Sequence, residues 1–353
     1  MYIIWRKNTD KKNMDRNYKA ALIGAGRIGF SLGFDKKREQ PASHTMALLH
    51  NKKIKLIAAA DCSEKNLKEW QKYAKKHKSP ALGFGSSDEL YKNVPELDIL
   101  VVAVNEEKHL EECIKAIEYK PKLVILEKPV ALNTEEAEKI VECARRCNVS
   151  VMVNHERRFD RSYKEAAKWL SQIGDIQRVK AELDSGLRIY GEEFEKDGTY
   201  SLIHDGTHLV DIVRYLLKIE LKTPVITGVW KDEKNIVRNF SAHYTTANIP
   251  DVEITMSGRS KFFEFRLEIL GTRGKICIGN GIAEFYLREE SRLYTGFYSL
   301  EKQKVKLPEK TAYFSGMVEN AVDFLEGKAP LLSPLEDAVR DLAVLEEIKN
   351  CFK

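Results

Sequence analysis

The sequence predicts an α/β Rossmann domain, a doubly wound parallel sheet, followed by an α+β domain with an open, mainly antiparallel sheet. Three observations predict it. Short runs of consecutive apolar residues alternate with amphipathic stretches over residues 18–154. A Gly24-Ala25-Gly26-Arg27-Ile28-Gly29 turn follows the first run. Beyond residue 155, apolar positions alternate singly with polar ones, as in Phe263-Glu264-Phe265-Arg266-Leu267-Glu268-Ile269.

The apolar runs lie at 20–23, 56–60, 99–104, 123–126 and 149–153. Each is apolar on consecutive positions, as strands covered on both faces of a parallel sheet must be. Helical patterns lie between them at 63–77, 106–119 and 133–147. The last opens with Asn133 and carries Glu136 three residues on, a helix-start signature. This β-α alternation implies double winding. A helical stretch at 161–173 follows, then strand-like runs at 176–187, 225–231, 237–246, 252–257, 262–270, 275–279 and 283–287. Their alternation suits a sheet with one covered face. Residues 295–309 read as a polar, exposed loop, and helices at 312–326 and 334–350 close the chain. The division is a flexible tail at 1–17, a domain of alternating strands and helices at 18–154, and a domain of mainly antiparallel strands at 155–353.

A chain of 353 residues is long enough for two domains. Its net charge of +5 sits mostly in residues 1–19, where six Lys/Arg oppose two Asp. The body is nearly neutral, so no basic face points to nucleic acid. The longest apolar run, 99–104, falls far short of the roughly 20 residues of a membrane helix. No apolar stretch follows the basic N-terminal residues, so no secretory signal is expected. Six scattered cysteines without a CxxC pair read as reduced thiols in the cytoplasm, with no metal site.

The glycine turn carries the first chemistry. Gly24 permits the tight turn, Gly26 lets backbone approach a pyrophosphate, and Gly29 allows close helix–strand packing. The helix start containing Arg27 and Ile28 offers amide donors to phosphate. Asp61 ends the next strand, where a carboxylate accepts from a ribose 2′-hydroxyl and repels a 2′-phosphate. Cys62, Ser63 and Glu64 supply no cation, so NAD is favoured over NADP. The spacing from Gly29 to Asp61 exceeds the usual ~20 residues. The excess is an insertion at 31–43 bearing Lys36, Lys37 and Arg38. It reads as a solvated loop, or as a contact to an anionic substrate or the cofactor phosphates.

The fourth apolar run leads into Glu127-Lys128-Pro129. A lysine at the carboxyl end of a parallel strand faces the crevice where ligands sit. With that motif, His44, Asp61, His109, Asn154 with Arg157-Arg158-Phe159, and Gly206-Thr207-His208-Leu209-Val210-Asp211, the sequence resembles the Gfo/Idh/MocA oxidoreductases from about residue 18 onward. The resemblance implies a nicotinamide-dependent dehydrogenase of sugars, polyols or nucleotide sugars, assembled as a homodimer or homotetramer through its second sheet. It places Lys128 and His208 in catalysis, and Asn105, His109, Glu127 and Lys128 beside the cofactor. Asn154, Arg158 and Asp205 are placed toward substrate.

Oxidising a secondary alcohol needs a base near working pH, which histidine supplies, and a cation beside the developing alkoxide. His208 is assigned as general acid/base and Lys128 as the positioning and electrostatic group; the reverse partition stays open, because a desolvated lysine can titrate near neutrality. Three departures from the family pattern stand out. The family's aspartate four residues before the histidine is His204 here, giving a candidate two-histidine site. The Thr/Ser-Pro after the fourth strand is Asn105-Glu106. The 31–43 insertion is the third. Arg157, Arg158 and Arg161 suit an anionic substrate, or ion pairs with Glu156 or Asp160. Arg188, Tyr190 and Tyr200 are further cleft candidates, and Asp211 reads as an orienting residue. A catalytically silent NAD-binding sensor of the same fold is the competing class, and an enzyme that retains its nicotinamide is a third.

Overall fold

The computed structural model describes residues 17–184 and 199–352. Residues 1–16 of the tail, Arg188, Tyr190 and the side chain of Tyr200 lie outside the described set. Strands β1 (Tyr18–Ile23), β2 (Ile54–Ala60), β3 (Leu82–Phe84), β4 (Ile99–Val102), β5 (Leu123–Leu126) and β6 (Ser150–Val153) form a parallel sheet. Its order is β3-β2-β1-β4-β5-β6. β4 and β5 are buried at every position, which is why their apolar residues run consecutively. The winding reverses between β1 and β4, so a crevice opens at the carboxyl ends of those strands.

Helices α1 (His44–His50), α2 (Glu64–Lys76), α3 (Ser87–Asn93), α4 (His109–Glu118) and α5 (Thr134–Cys147) connect the strands. Asn133 caps α5 by accepting from the Glu136 amide at 2.9 Å. The regular helix expected directly after the glycine turn is absent. A single 3-10 turn, Ser31–Phe34, stands there, and α1 starts only at His44. Hydrogen bonding resumes across the gap: the His44 amide donates to the Ile28 carbonyl (3.2 Å) and the Thr45 amide to that of Gly29 (2.9 Å). The 31–43 insertion is thus extruded from the first turn of what would otherwise be one helix.

The second half begins with α6 (Arg161–Trp169), β7 (Ile176–Asp184), α7 (Thr199–His204) and α8 (Gly206–Leu217). Strands β8 (Val225–Lys231), β9 (Val237–Tyr244), β10 (Val252–Ser257), β11 (Glu264–Gly271), β12 (Gly274–Gly279), β13 (Ile282–Glu290) and β14 (Tyr298–Lys302) complete it. With β7 they form an eight-stranded sheet, β14-β13-β12-β11-β7-β10-β9-β8. β7 and β10 run parallel; the other neighbours are antiparallel. Alternate residues of β10 and β11 are buried. They pack with Leu209, Val210, Ile212 and Val213 of α8 in one core. Val225, Val229, Trp230, Tyr298 and Leu300 remain exposed. The expected polar loop at 295–309 contains β14, whose apolar residues Tyr298 and Leu300 are exposed along with Lys302.

Two closing helices return to the first sheet. α9 (Tyr313–Leu325) sends Phe314, Met317, Val318 and Ala321 into the core around Leu22 and Val101. α10 (Leu335–Asn350) straddles both halves. Leu335, Ala338, Val339 and Leu342 join the core of β4 and α5, whereas Val344, Leu345 and Ile348 join the core of the second sheet. The Val153 amide donates to Ser333 just before this helix at 3.0 Å. A division at residue 154 assigns both helices to the second domain, whereas α9 packs into the core of the first sheet and α10 into both cores. Among the described residues, no helix is long and apolar enough to cross a membrane.

Candidate functional site

The glycine turn leaves β1 where the crevice opens. Gly24 has φ +95°, and a Cβ there would lie 2.3 Å from the Ala103 carbonyl oxygen after β4. A Cβ on Gly29 would lie 2.0 Å from the Gly24 carbonyl oxygen. A Cβ on Gly26 would meet nothing within 4 Å, so this backbone faces open space. Asp61 sits beside the turn: its Oδ2 accepts from the Ala25 amide at 2.7 Å and its Oδ1 from the Ser63 amide at 2.8 Å. Arg27 and Asn105 are exposed and Ile28 is half-buried. The turn, the acid and the open backbone at Gly26 fit a dinucleotide.

The chemical end lies after β5. Lys128 is partly exposed, and its Nζ donates to the His204 carbonyl at 2.8 Å. His204 ends α7 and, one turn on, α8 presents His208. The His208 amide donates to the Asp205 carbonyl at 3.1 Å, which makes Asp205 part of the helix start. Burial first, then the positive charges of Lys128 and Arg157, push the His208 pKa well below that of a free imidazole. Its Nδ1 is buried with no hydrogen-bond partner among the described residues.

The two motif departures meet in space. His204 Nδ1 lies 3.2 Å from Glu106 Oε1. Burial works against the Glu106 carboxylate, but the hydrogen bond and charge of His204 outweigh it and bring its pKa down to about 2. The carboxylate that faces His204 thus comes from 98 residues earlier in the chain.

Other expected ligand residues hold the frame instead. Glu127 is buried, with His44 Nε2 at 2.5 Å and Asn154 Nδ2 at 2.7 Å from the same oxygen. Burial raises its pKa, but these two partners more than compensate and hold it below the usual carboxylate range. His109 is 1% exposed, its ring nitrogens facing the Pro129 carbonyl (2.6 Å) and the Val104 carbonyl (3.1 Å). Glu127 and His109 therefore brace the loops around Lys128; Asn154 joins them through Nδ2, while its Oδ1 is buried without a hydrogen-bond partner among the described residues.

Arg158, expected to face substrate, is 2% exposed. Its guanidinium is taken up by Asp211 (2.8 and 2.6 Å), Asp337 (2.5 Å) and the Leu332 carbonyl (2.8 Å). Four of the five N–H donors of this buried guanidinium are thus spent within the protein. Its network continues through His155, whose Nδ1 lies 3.1 Å from Asp211 and whose ring stands edge-on to His208 at 6.4 Å. Asp341 accepts from Arg214. Burial and the neighbouring Asp211 charge raise the Asp341 pKa well above normal. His155, Asp211 and Asp341 bring metal-type ligand atoms within 4.8 Å of one another, but two arginines already occupy the carboxylates. Sequence reading missed Asp341, although an aspartate on the otherwise apolar face of α10 was a visible signal.

Residues 18–155 match the model of the Gfo/Idh/MocA family, described as an oxidoreductase family with an NAD-binding Rossmann fold. A trans-1,2-dihydrobenzene-1,2-diol dehydrogenase of Xenopus tropicalis is 30% identical over 52% of this chain and 54% of its own length. A scyllo-inositol 2-dehydrogenase (NAD(+)) of Bacillus subtilis is 23% identical over 75% of each chain. The chain spans 35–54% of the length of the diol dehydrogenases it matches. An oxidoreductase from Agrobacterium radiobacter, solved with NAD+, L-tartaric acid and magnesium, shares the fold at a TM-score of 0.72 and 17% identity, covering 94% of both chains. Residues 18–155 thus match the NAD-binding Rossmann part of the Gfo/Idh/MocA oxidoreductases, and the chain as a whole shares the fold of a solved oxidoreductase.

Proposed function

We propose that this chain is a cytoplasmic NAD-dependent dehydrogenase that interconverts a secondary alcohol and ketone of a sugar, polyol or nucleotide sugar. One observation carries the reading: Lys128, at the end of β5, is docked on the His204 carbonyl and so faces the helix start that bears His208. The open backbone at Gly26 would take the pyrophosphate and Asp61 the adenosine ribose, and the Asp61 charge disfavours a 2′-phosphate. The nicotinamide, when bound, supplies the hydride-accepting carbon.

The chain supplies the rest. Lys128 spends one of its three N–H donors on His204 and keeps two for a substrate oxygen, where its charge stabilises alkoxide character. His208, with its lowered pKa, is neutral at physiological pH and can take the hydroxyl proton. Glu106 orients His204, and the Glu127 bracing holds the Lys128 loop. The exposed apolar residues of the second sheet, Trp230 and Val229 among them, support assembly of identical chains through that sheet.

Steady-state kinetics of Lys128→Met and His208→Asn on a turned-over polyol test this assignment. Lys128→Met should lose about 10²–10³ in kcat. It also removes a positive charge that depresses His208, so the acid limb of the pH profile should move to higher pH. Undiminished turnover in either variant would end the reading.

A further inference from the structure

We propose that Asp341 is a positioning residue: a neutral carboxylic acid that donates its proton to a hydrogen bond with Asp211 and so fixes the helix that carries His208. The inference rests on the dehydrogenase reading only for what that helix does.

Asp211 and Asp341 are both fully buried where α8 packs on α10. Charged groups reach them from three elements. The turn after β6 presents His155 and Arg158, α8 presents Asp211 and Arg214, and α10 adds Asp337 to Asp341. α5, β6 and α7 meet α10 in an apolar cluster that includes Ile140, Val153 and Ile203.

The donors are shared unequally. Asp211 Oδ1 faces Arg158 Nε (2.8 Å), Arg158 Nη2 (2.6 Å) and His155 Nδ1 (3.1 Å). Asp341 Oδ1 accepts from Arg214 Nη1, while Arg214 Nη2 turns to Glu220 at 3.0 Å. Asp341 Oδ2 lies 3.9 Å from His155 Nδ1 and 4.0 Å from Arg158 Nη2, beyond hydrogen-bond reach of both. The second oxygen of each acid, Asp211 Oδ2 and Asp341 Oδ2, is buried with no hydrogen-bond partner among the described residues.

Two ionised carboxyls would each leave a buried oxygen without a donor, which is costly. They would also repel, because an oxygen of one lies within 4.8 Å of an oxygen of the other. One proton removes both faults. On Asp341 it turns an orphan acceptor into a donor, and the Asp211 carboxylate receives it. Asp341 is the holder because Asp211 already faces the Arg158 fork and His155, whereas Asp341 has a single nitrogen of Arg214. Burial and the Asp211 charge raise the Asp341 pKa in the same sense, and burial lowers that of His155 to about 4.

The bond acts on the site through α8. Asp211 follows His208 by three residues on that helix. The Thr207 hydroxyl, next to His208, lies 3.1 Å from His155 Nε2, and the His155 ring stands edge-on to His208. Loss of the proton sets two anions against each other between α8 and α10, and His208 shifts with its helix.

The full chain tests the proton first, without substrate. The infrared difference spectrum of parent minus Asp341→Asn near neutral pH should show a protonated carboxyl band that shifts in D2O. Asp341→Asn keeps the shape and a donor, so its urea midpoint should match the parent's and exceed it as pH rises to about 8. A raised folded pKa gives stabilisation that is present at low pH and lost as pH climbs through it. Asp211→Asn should lower the midpoint at every pH, because it removes the charge that Arg158 faces. Absence of the band, or an Asp341→Asn midpoint lowered like that of Asp211→Asn, overturns the inference in favour of two ionised acids bridged by water. Kinetics on a turned-over polyol test the positioning. Parent kcat should fall at alkaline pH with KM steady, and Asp341→Asn should lack that fall. Asp341→Ala, which offers Asp211 no donor, should lose about tenfold or more in kcat at every pH. An alkaline fall unchanged by Asp341→Asn overturns the positioning role. Absence of turnover on any polyol counts against the dehydrogenase reading instead, and the band and midpoints still decide the proton.

Discussion

Substitution of Gly26 by alanine separates cofactor binding from folding. Gly26 has no positive φ, and a methyl group there would meet no atom within 4 Å. The folded protein should accept it, and the less flexible unfolded chain should add about 0.4–1 kcal/mol of stability. The same methyl projects into the space that a pyrophosphate needs. An NAD dissociation constant raised at least about tenfold, or about 1.4 kcal/mol, is expected. Gly24→Ala should do the opposite. Its φ of +95° is strained for alanine, at about 1–3 kcal/mol, and its Cβ would sit 2.3 Å from a backbone oxygen that no side-chain rotation can move. Urea unfolding without ligand and calorimetric NAD titration read the two effects separately. The reasoning fails if Gly26→Ala binds NAD like the parent, or if it loses as much stability as Gly24→Ala.

Other expectations follow from the frame around the site. Burial holds the His155 pKa at about 4, below the 6.5 of a free imidazole, so between those values only the unfolded chain takes up the proton. Its contribution to stability should fall by on the order of 3 kcal/mol as pH drops from 6.5 to about 4, and His155→Gln should flatten that slope in denaturant titrations. A double-mutant cycle of Glu106→Gln and His204→Asn, read in kcat/KM, should show coupling on the order of 1 kcal/mol; additivity would dissolve the pair. Light scattering should give a mass at least twice 40.5 kDa, reduced by Trp230→Glu, which puts a charge on the exposed sheet face.

Periodicity made the strands of the first sheet legible because burial on both faces leaves an unbroken apolar run, as in β4 and β5. β14 escaped because an exposed edge strand can carry its apolar residues outward, and Tyr298 and Leu300 look there like loop residues. α8 is buried from Leu209 through Arg214, the charged Asp211 and Arg214 included, so its polar residues do not mark a solvent face. Motifs located Lys128, His208 and the glycine turn, since their chemistry demands fixed residue types at fixed local spacing. The Glu106–His204 pair had no such signature. Its partners are brought together only by the sheet order, and each looked like an isolated departure. Arg158 misled for a related reason: a motif arginine and a buried structural arginine are the same letter, and only its three acceptors, Asp211, Asp337 and the Leu332 carbonyl, distinguish them.

The placement of α10 bears on how the protein is made. When residue 155 leaves the ribosome, every strand of the first sheet has been synthesised, yet its core still lacks Leu335, Ala338, Val339 and Leu342. The partners of Arg158 from that region, Leu332 and Asp337, are likewise almost two hundred residues away. The nascent cofactor half must wait for the chain's last fifty residues, and a message truncated before them would yield two unfinished halves rather than one working nucleotide-binding unit.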